Sequence, residues 1–399
     1  MNYNTYPIAD LIDEIAMGPF GSNIKVDCFV DKGIPVLNGS NLEGFELSEK
    51  SFRYVTEEKA DSLKKANAYK GDVVITHRGT LGQIVYIPQT AQRDRYVISQ
   101  SQFRVKCNKK VLPEYFVYYF HTPIGQHKLL SNASQVGVPA LARPSSTFQK
   151  IEIEIPDLET QKKVVKLIGS LQTRIKTNAE INDNLYDLVN TLYTKLFKDT
   201  DCEMTTVEDY VDCIYSGGTP ATSNMAYWNG NLNWLSSGET RNRFVISTEK
   251  TITQLGADNS STKSAQKYDI VIASAGQGFT RGQTSMLLLN TYINQSVIVL
   301  HAKKTVLPYL FWNLTNRYDD LRAISDSSSI RGSLTTKMLS KLKIPKVEDS
   351  LILKFSEFAW SIIPQIENNL IENKRLTDLR DSLLPKLMSG EIDVSDIRL

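Results

Sequence analysis

The sequence predicts an α+β fold with two mixed α/β domains separated by two long antiparallel coiled-coil helices, related by a pseudo-twofold internal repeat. Three observations support this prediction. The chain has 399 residues, which is too long for one ordinary compact core. Its opening segment returns near the middle of the chain. Each copy then passes from short apolar runs to a long stripe with helical spacing.

The internal repeat is visible in three pairs of segments. DLIDEIAMG at residues 10–18 returns as DYVDCIYSG at residues 209–217. The other pairs are KGDVVI (70–75) with KYDIVI (267–272), and ISQS (98–101) with INQS (293–296). Small changes of offset between the pairs indicate loop insertions rather than a different architecture.

The first part of each repeat has the pattern of strands and turns. Short apolar runs such as VVITH, IVYIP and DIVIASA are separated by Gly, Pro, Asn and Ser. These runs predict one mixed α/β domain in each repeat. The predicted boundaries are 1–156 for the first domain, 157–198 for the first long helix, 199–345 for the second domain, and 346–399 for the second long helix and C-terminal tail.

The second part of each repeat has apolar residues at alternating spacings of three and four, the period of a coiled-coil seam. The predicted seam residues are Ile175, Asn178, Asn182, Leu185, Leu192 and Leu196 in the first stripe, and Ile366, Asn369, Asn373, Leu376, Leu383 and Leu387 in the second. The second stripe is interrupted by Pro364 and by Arg380.

The two stripes are expected to pair with each other. One stripe alone is more typical of a helix packed on its own domain. Two stripes in register favour a coiled coil, because Asn178 and Asn182 match Asn369 and Asn373, and buried seam asparagines fix register and orientation. We therefore expect antiparallel pairing. About 38 residues at ~1.5 Å each would form a rod of ~57 Å.

Composition narrows the classes of function. Lys and Arg total 46 and Asp and Glu total 44, so the net charge of +2 does not by itself indicate a nucleic-acid partner. The N terminus has no basic leader before an apolar run, and no stretch of about 18 apolar residues occurs. The four cysteines form no CxxC pair and are too sparse for a disulfide framework. We expect a cytoplasmic protein with no membrane segment.

Sequence motifs of catalysis are missing. There is no P-loop, no HExxH, no GxSxG and no paired Cys/His spacing typical of a metal site. SAGQG at residues 274–278 lacks the rest of a dinucleotide-binding unit. Asp157 and Glu159 begin the first predicted long helix, where carboxylates favour the positive end of the helix dipole. The sequence therefore predicts no catalytic residue and no cofactor or metal bound by this chain.

Two kinds of motif resemble a known family over essentially the whole chain. The domains open with GPFGS (18–22) followed by GIPVL (33–37), and with SGGTP (216–220) followed by YWNG (227–230). The helices end with LYTKL (192–196) and LLPKLMSGE (383–391). Together with the duplicated plan, these motifs resemble the DNA specificity subunits of Type I restriction-modification enzymes. The two openings differ, so the resemblance implies two recognition domains that read different sequences.

The resemblance implies a division of labour. Each target-recognition domain would read one half of a split duplex DNA site, and the helices would set the spacer. Two modification subunits, which are adenine methyltransferases with S-adenosylmethionine, would dock on this chain. Restriction subunits would supply nuclease activity and ATP-driven translocation with Mg²⁺. The alternatives are a DNA-modifying enzyme with its own active site and a coiled-coil scaffold unrelated to DNA.

Candidate DNA-binding residues follow from the chemistry of base recognition. Arg, Lys, Gln and Asn contact base edges in bidentate pairs, and glycines let a loop backbone approach DNA. Two loops follow the repeated KGDVVI and KYDIVI strands. The candidates are Arg78, Thr80, Gln83, Gln102 and Arg143 in the first domain, and Arg241, Asn242, Arg243, Gln277, Thr280, Arg281, Gln283 and Arg331 in the second.

Four other polar or aromatic residues receive a structural interpretation. Gln100 and Gln295 occupy matching positions, expected within a strand, so a structural role shared by both domains ranks them below the loop arginines. Trp228 and Trp234 could stack on unpaired bases, but a reader of duplex DNA has no such bases, and we expect them to pack in a core.

Overall fold

The computed structural model describes residues 3–19, 23–134, 137–197, 203–276, 278–326 and 332–394. The chain forms two compact units. Unit 1 comprises Met1–Thr173 and Leu376–Leu399, and unit 2 comprises Arg174–Arg375. Each unit therefore contains one of the two mixed α/β domains together with part of each long helix.

The first half of the chain alternates short strands with short helices and then enters a 40-residue helix. The elements are β1 (Asn4–Pro7), β2 (Ile12–Met17), β3 (Ile34–Val36), β4 (Arg53–Val55), α1 (Glu57–Ser62), β5 (Asn67–Tyr69), β6 (Asp72–Thr76), β7 (Ile84–Tyr86), β8 (Arg95–Val97), β9 (Gln102–Cys107), α2 (Pro113–Phe120), α3 (Pro123–Leu130), β10 (Ala133–Ser134), β11 (Ala140–Leu141), α4 (Pro144–Gln149), β12 (Glu152–Ile155) and α5 (Leu158–Phe197).

The second half follows the same plan and ends in a 41-residue helix. The elements are β13 (Met204–Thr206), β14 (Cys213–Ser216), β15 (Trp228–Leu235), β16 (Phe244–Val245), β17 (Lys250–Ile252), α6 (Gln254–Asp258), β18 (Lys263–Ala265), β19 (Ile270–Ala273), β20 (Thr284–Leu287), β21 (Thr291–Ile293), β22 (Val297–His301), α7 (Leu307–Thr315), α8 (Tyr318–Asp326), α9 (Thr336–Ser340), β23 (Lys343–Pro345) and α10 (Asp349–Ser389).

The strand orders of the two units match, except that the first sheet of unit 2 has a fifth strand, β16, at its edge. Unit 1 has sheets β2-β9-β6-β7 and β4-β3-β8-β5, and unit 2 has β14-β22-β19-β20-β16 and β17-β15-β21-β18. In both units a small antiparallel pair, β1 with β12 or β13 with β23, closes the domain next to a long helix. The predicted internal repeat and mixed α/β class are thus confirmed at the level of topology.

The central strands are buried on both faces, which explains why they read as continuous apolar runs rather than alternating ones. Val73, Val74 and Ile75 of β6 are fully buried, as are Ile270, Val271 and Ile272 of β19. Such β-branched runs fit the pleated interior of a sheet, and the polar loops that follow them are carried to the surface.

Both long helices contribute to the core of unit 2. Tyr193 and Phe197 of α5 meet Phe355 of α10, with ring centroids 5.8 and 5.4 Å apart. Helix α7, which is buried over all but its last residue, supplies Tyr309 and Trp312 to the same cluster. The stripe of α5 therefore enters the apolar core of the unit that contains the second domain, and not only the domain that precedes this helix in the sequence.

The core of unit 1 is completed in the same way. Val164 and Ile168 of α5 and Leu384 and Leu387 of α10 belong to one cluster with the aromatic side chains of α2. Residue Tyr3, near the start of the chain, donates its hydroxyl to the carbonyl of Leu387 at 3.0 Å. Unit 1 is thus closed by residues from both ends of the sequence.

Asparagines link the two helices within unit 2. Asn178 donates to Asn373 Oδ1 at 2.9 Å, and Asn369 donates to Asn182 Oδ1 at 2.8 Å. Rising numbers in α5 meet falling numbers in α10, so the helices run antiparallel. Arg174 adds a two-pronged contact with Glu372, at 3.0 Å for each bond.

The other seam positions vary in burial. Ile366 lies in the core of unit 2 and Leu387 in the core of unit 1, and the remaining aliphatic positions are half-buried, namely Ile175, Leu185, Leu192, Leu196, Leu376 and Leu383. The polar pairs therefore occupy a stretch of the seam between the more apolar ends.

We expect Asn182→Leu to lower the free energy of unfolding of unit 2 by about 1–3 kcal/mol, because it leaves the Asn369 amide without its acceptor. The double variant Asn182→Leu/Asn369→Leu should lose less, since both polar partners are gone. All four tryptophans lie in unit 2, so their fluorescence during chemical denaturation reports on this unit. Asn184→Leu, at an exposed position of α5, is the control. Equal stability of Asn182→Leu and the wild type would contradict an ordering role for the pair.

Candidate nucleic-acid interface

The loop between β6 and β7 presents Arg78 in unit 1. Arg78 is exposed, and its backbone forms an isolated bridge with Ala140 of β11. The Gly79 amide donates to the Pro139 carbonyl and the Leu141 amide to the His77 carbonyl, both at 2.9 Å. The loop backbone is therefore fixed while the guanidinium of Arg78 faces solvent.

Two neighbouring candidates in this loop differ in availability. Thr80 is exposed. Gln83 is half-buried, and its amide donates to the Gly39 carbonyl at 2.9 Å while its Oε1 accepts from Thr76 at 3.2 Å. The side chain of Gln83 thus connects the loop to the segment that follows β3, and its donor and acceptor groups are both in use.

The structure corrects the hypothesis that Gln102 contacts DNA. It is the first residue of β9, it is buried, and its Oε1 accepts from the Ser99 amide at 2.9 Å. A side chain enclosed in this way does not reach a base edge. Arg143, by contrast, is exposed and takes the left-handed backbone conformation (φ 47°) just before α4.

The equivalent loop of unit 2, between β19 and β20, is built differently. Thr280 is buried, which corrects the expectation that it contacts DNA. Arg281 donates to the Gly332 carbonyl and pairs with Asp326, so its guanidinium is committed inside the unit. Gln283 donates to the Phe279 carbonyl at 3.1 Å. The side chain of Phe279 is 83% exposed at the tip of the loop.

The two loop arginines are consequently not equivalent, although the matching sequence patterns of the two loops suggested that they would be. Arg78 is open to solvent, and Arg281 holds the loop against the C-terminal end of α8. Two further candidates, Gln277 and Arg331, lie outside the described residues. In unit 2 the exposed basic candidates are those of the segment that leads into β16.

That segment, residues 241–243, borders a cavity of about 500 Å³ beside α5 and α10 in unit 2. Arg241 and Asn242 are exposed. The Arg243 guanidinium lies 4.2 Å from the centroid of the Tyr186 ring and 3.5 Å from Asp183. Arg243 therefore rests on the first long helix, whereas Arg241 has no ion-pair partner among the residues that the structure describes.

A second cavity, of about 610 Å³, lies in unit 1 next to Arg78. Its rim includes Lys64, Lys65, His77 and Gln100. His77 Nε2 lies 3.1 Å from the Gln100 carbonyl, and burial lowers the pKa of His77, which favours the neutral ring at pH 7. The positive charge of this rim therefore comes from Lys64, Lys65 and Arg78.

Sequence reasoning missed the two lysines, because they follow a short helix rather than a recognisable motif. It also placed Gln100 and Gln295 in strands, and the structure has both in the turns that precede β9 and β22. Trp234 is buried and forms an edge-to-face pair with Trp228, with centroids 5.1 Å apart, as expected for core packing.

Within the described ranges, no group of three His, Cys, Asp or Glu side chains is arranged to hold a metal ion. No helix there combines the length and hydrophobicity needed to cross a bilayer. The candidate interface is a set of basic and amide side chains on surface loops, a chemistry suited to phosphates and base edges.

Comparison with known families agrees with this class of protein, a reader of DNA built from two repeated domains. The model of the Type I restriction modification DNA specificity domain matches the chain twice, over residues 20–186 and 200–375. The chain belongs to this family, and it is a DNA sequence-specificity subunit.

Two relatives and a solved structure are similar to this chain over most of its length. The HindI specificity subunit of Haemophilus influenzae is 23% identical, with 81% of this chain and 87% of the relative covered. The MjaIX specificity subunit of Methanocaldococcus jannaschii is 21% identical, with 97% and 93% covered. The S subunit of M. genitalium has a similar fold, with a TM-score of 0.61 at 15% identity and 97% and 96% of the chains covered.

Replacing Arg281 by Ala is expected to destabilise unit 2 by about 1–3 kcal/mol, because it removes a charged donor from a partly buried site. Arg241→Ala should change the stability of the same unit by less than about 0.5 kcal/mol, since that side chain is exposed. Tryptophan fluorescence during denaturation measures both. If the two variants lose the same stability, Arg281 does not hold its loop through Gly332 and Asp326.

Proposed function

We propose that each unit reads one half of a split duplex DNA site. The observation that carries the proposal is the shared strand order of the two units, which differ by one edge strand, combined with different loops at the matching positions. A shared scaffold with divergent loops is the arrangement expected when the same task is performed on two different sequences. The exposed candidates for contact with DNA are Arg78, Thr80, Arg143, Arg241, Asn242 and Arg243.

The long helices are proposed to set the spacing between the two half-sites and to dock two modification subunits. α5 and α10 each contribute to both units, so a change in their length alters how the units are connected. Their exposed faces offer a surface for protein partners. Restriction subunits would join the same assembly, as in the Type I enzymes that the relatives are named for.

The chain itself is proposed to be non-catalytic. S-adenosylmethionine, ATP and Mg²⁺ would belong to the partner subunits, which carry methyl transfer, translocation and cleavage. The missing sequence motifs support this division. The competing proposal is that this chain has its own active site, and methyl transfer by the purified chain alone would favour it. A scaffold unrelated to DNA would not direct methylation to any sequence.

Exchange of residues 1–156 for the equivalent domain of a relative tests independent reading. The exchanged segment ends before α5, so the helix is left whole. We expect the sites of adenine methylation, mapped by sequencing DNA from cells that express the complete complex, to change in one half of the motif and not in the other. The unexchanged chain with the same modification subunits is the control. A change in both halves would contradict independent reading. Methylation sites that do not depend on which specificity chain is present would contradict the proposed function itself.

A further inference from the structure

The rim of the cavity in unit 1 carries positive charge that no neighbouring acid balances. Lys64, Lys65 and Arg78 line it together, and none of the described lining residues is Asp or Glu. Neither lysine ammonium is in an ion pair with a described residue, and the same holds for the guanidinium of Arg78. Cations placed together without counter-charges repel one another, and an anion that joins them relieves this repulsion.

The backbone that carries the two lysines is fixed from behind. Lys64 has the left-handed conformation (φ 45°), which is uncommon outside glycine. The Asn67 amide donates to the Lys64 carbonyl at 2.7 Å and to the Ala60 carbonyl at 2.8 Å. The Nε of Arg104 donates to the next carbonyl, that of Lys65, at 3.1 Å. The turn is thus held in a strained conformation by two side chains beneath it.

Arg104 is a buried charge, with 6% of its side chain exposed. It is balanced by Glu14 at 3.0 Å and by Asp72 at 3.3 Å. Taking such a group out of water costs free energy, and apolar replacements at buried ion pairs are often as stable or more so. A buried arginine in a β-strand therefore calls for a reason other than stability.

The repeat supplies a comparison within the same molecule. Arg104 lies opposite Val74 in unit 1, and Val299 lies opposite Val271 at the matching place in unit 2. The same fold is therefore built with valine at this position. In unit 2 the segment ahead of β18 reads Ser-Ser-Thr at residues 260–262, without the two lysines. The buried arginine and the pair of lysines thus occur together in unit 1, and both are missing at the matching places in unit 2.

We infer that Lys64, Lys65 and Arg78 bind backbone phosphates of the duplex DNA read by unit 1, and that Arg104 is a positioning residue that holds the Lys64–Lys65 turn in the binding conformation. The inference rests on the proposed function and deepens it for one unit. Phosphate contacts fix the register of a reader on DNA and make its affinity depend on salt.

The salt dependence of DNA binding tests the phosphate contacts. The complete complex is titrated with a duplex that contains its methylated motif, at several salt concentrations. Lys64→Gln/Lys65→Gln should lower the slope of log affinity against log salt by about 2, because each phosphate contact contributes ~0.9. Lys109→Gln/Lys150→Gln removes the same charge from exposed positions of unit 1 outside the cavity and should leave the slope unchanged.

Two further variants separate charge from conformation. Lys64→Gly keeps a residue that adopts positive φ without strain, and it should weaken binding as much as Lys64→Gln if the ammonium is what matters. Arg104→Lys keeps a positive charge near Glu14 and Asp72 but removes the Nε donor to Lys65. It should weaken binding about fivefold, the effect of one hydrogen bond, and this loss should vanish in the Lys64→Gln/Lys65→Gln background.

Three results would overturn the inference. The first is a wild-type slope for a folded Lys64→Gln/Lys65→Gln complex that still binds its site. The second is an Arg104→Lys loss of the same size with and without the two lysines, which would indicate a structural effect only. The third is a wild-type complex that binds no duplex, which would also remove the proposed function, whereas the first two leave that function standing.

Discussion

The structure depends on the burial of both long helices in the apolar cores of the two units. In unit 2, Tyr193 and Phe197 of α5 pack against Phe355 of α10. A large side chain of this kind stabilises a core by about 1.5–3 kcal/mol when it is fully buried. Since these aromatic residues come from helices far apart in the sequence, neither unit has a complete core without both helices.

This dependence links the folding of the domains to their connection. Unit 1 needs Leu384 and Leu387, close to the end of the chain, before its core is closed. Contacts of such large sequence separation are costly in loop entropy and slow to form. The benefit is that the loops proposed to contact DNA stand on a scaffold that includes the helices, so a helix contacts the same core that positions Arg78 or Arg241.

The sequence was sufficient to predict the repeat, the strand-rich domains and the asparagine-containing stripes of the helices. Each of these leaves a local periodic signal. No such signal shows whether an individual polar side chain is free to contact DNA, because this depends on partners far away in the sequence. Arg281 is committed to Asp326, 45 positions away, and Gln83 to the Gly39 carbonyl, 44 positions away. The cationic rim around Lys64 and Lys65 likewise arises only when the turn before β5 meets the loop after β6.

Shortening both long helices together tests most directly whether they set the spacing between the half-sites. Residues 170–176 of α5 and 375–381 of α10 face each other in the antiparallel register, and neither stretch contains a buried side chain. Deleting both keeps the two asparagine pairs and shortens each helix by ~10 Å. At ~3.4 Å per base pair, the unspecified gap in the methylated motif should shrink by about three base pairs, with weaker binding because the half-sites also rotate around the duplex. A variant that assembles normally, binds the original site with full affinity and methylates the original motif would contradict the claim that the helices set the gap.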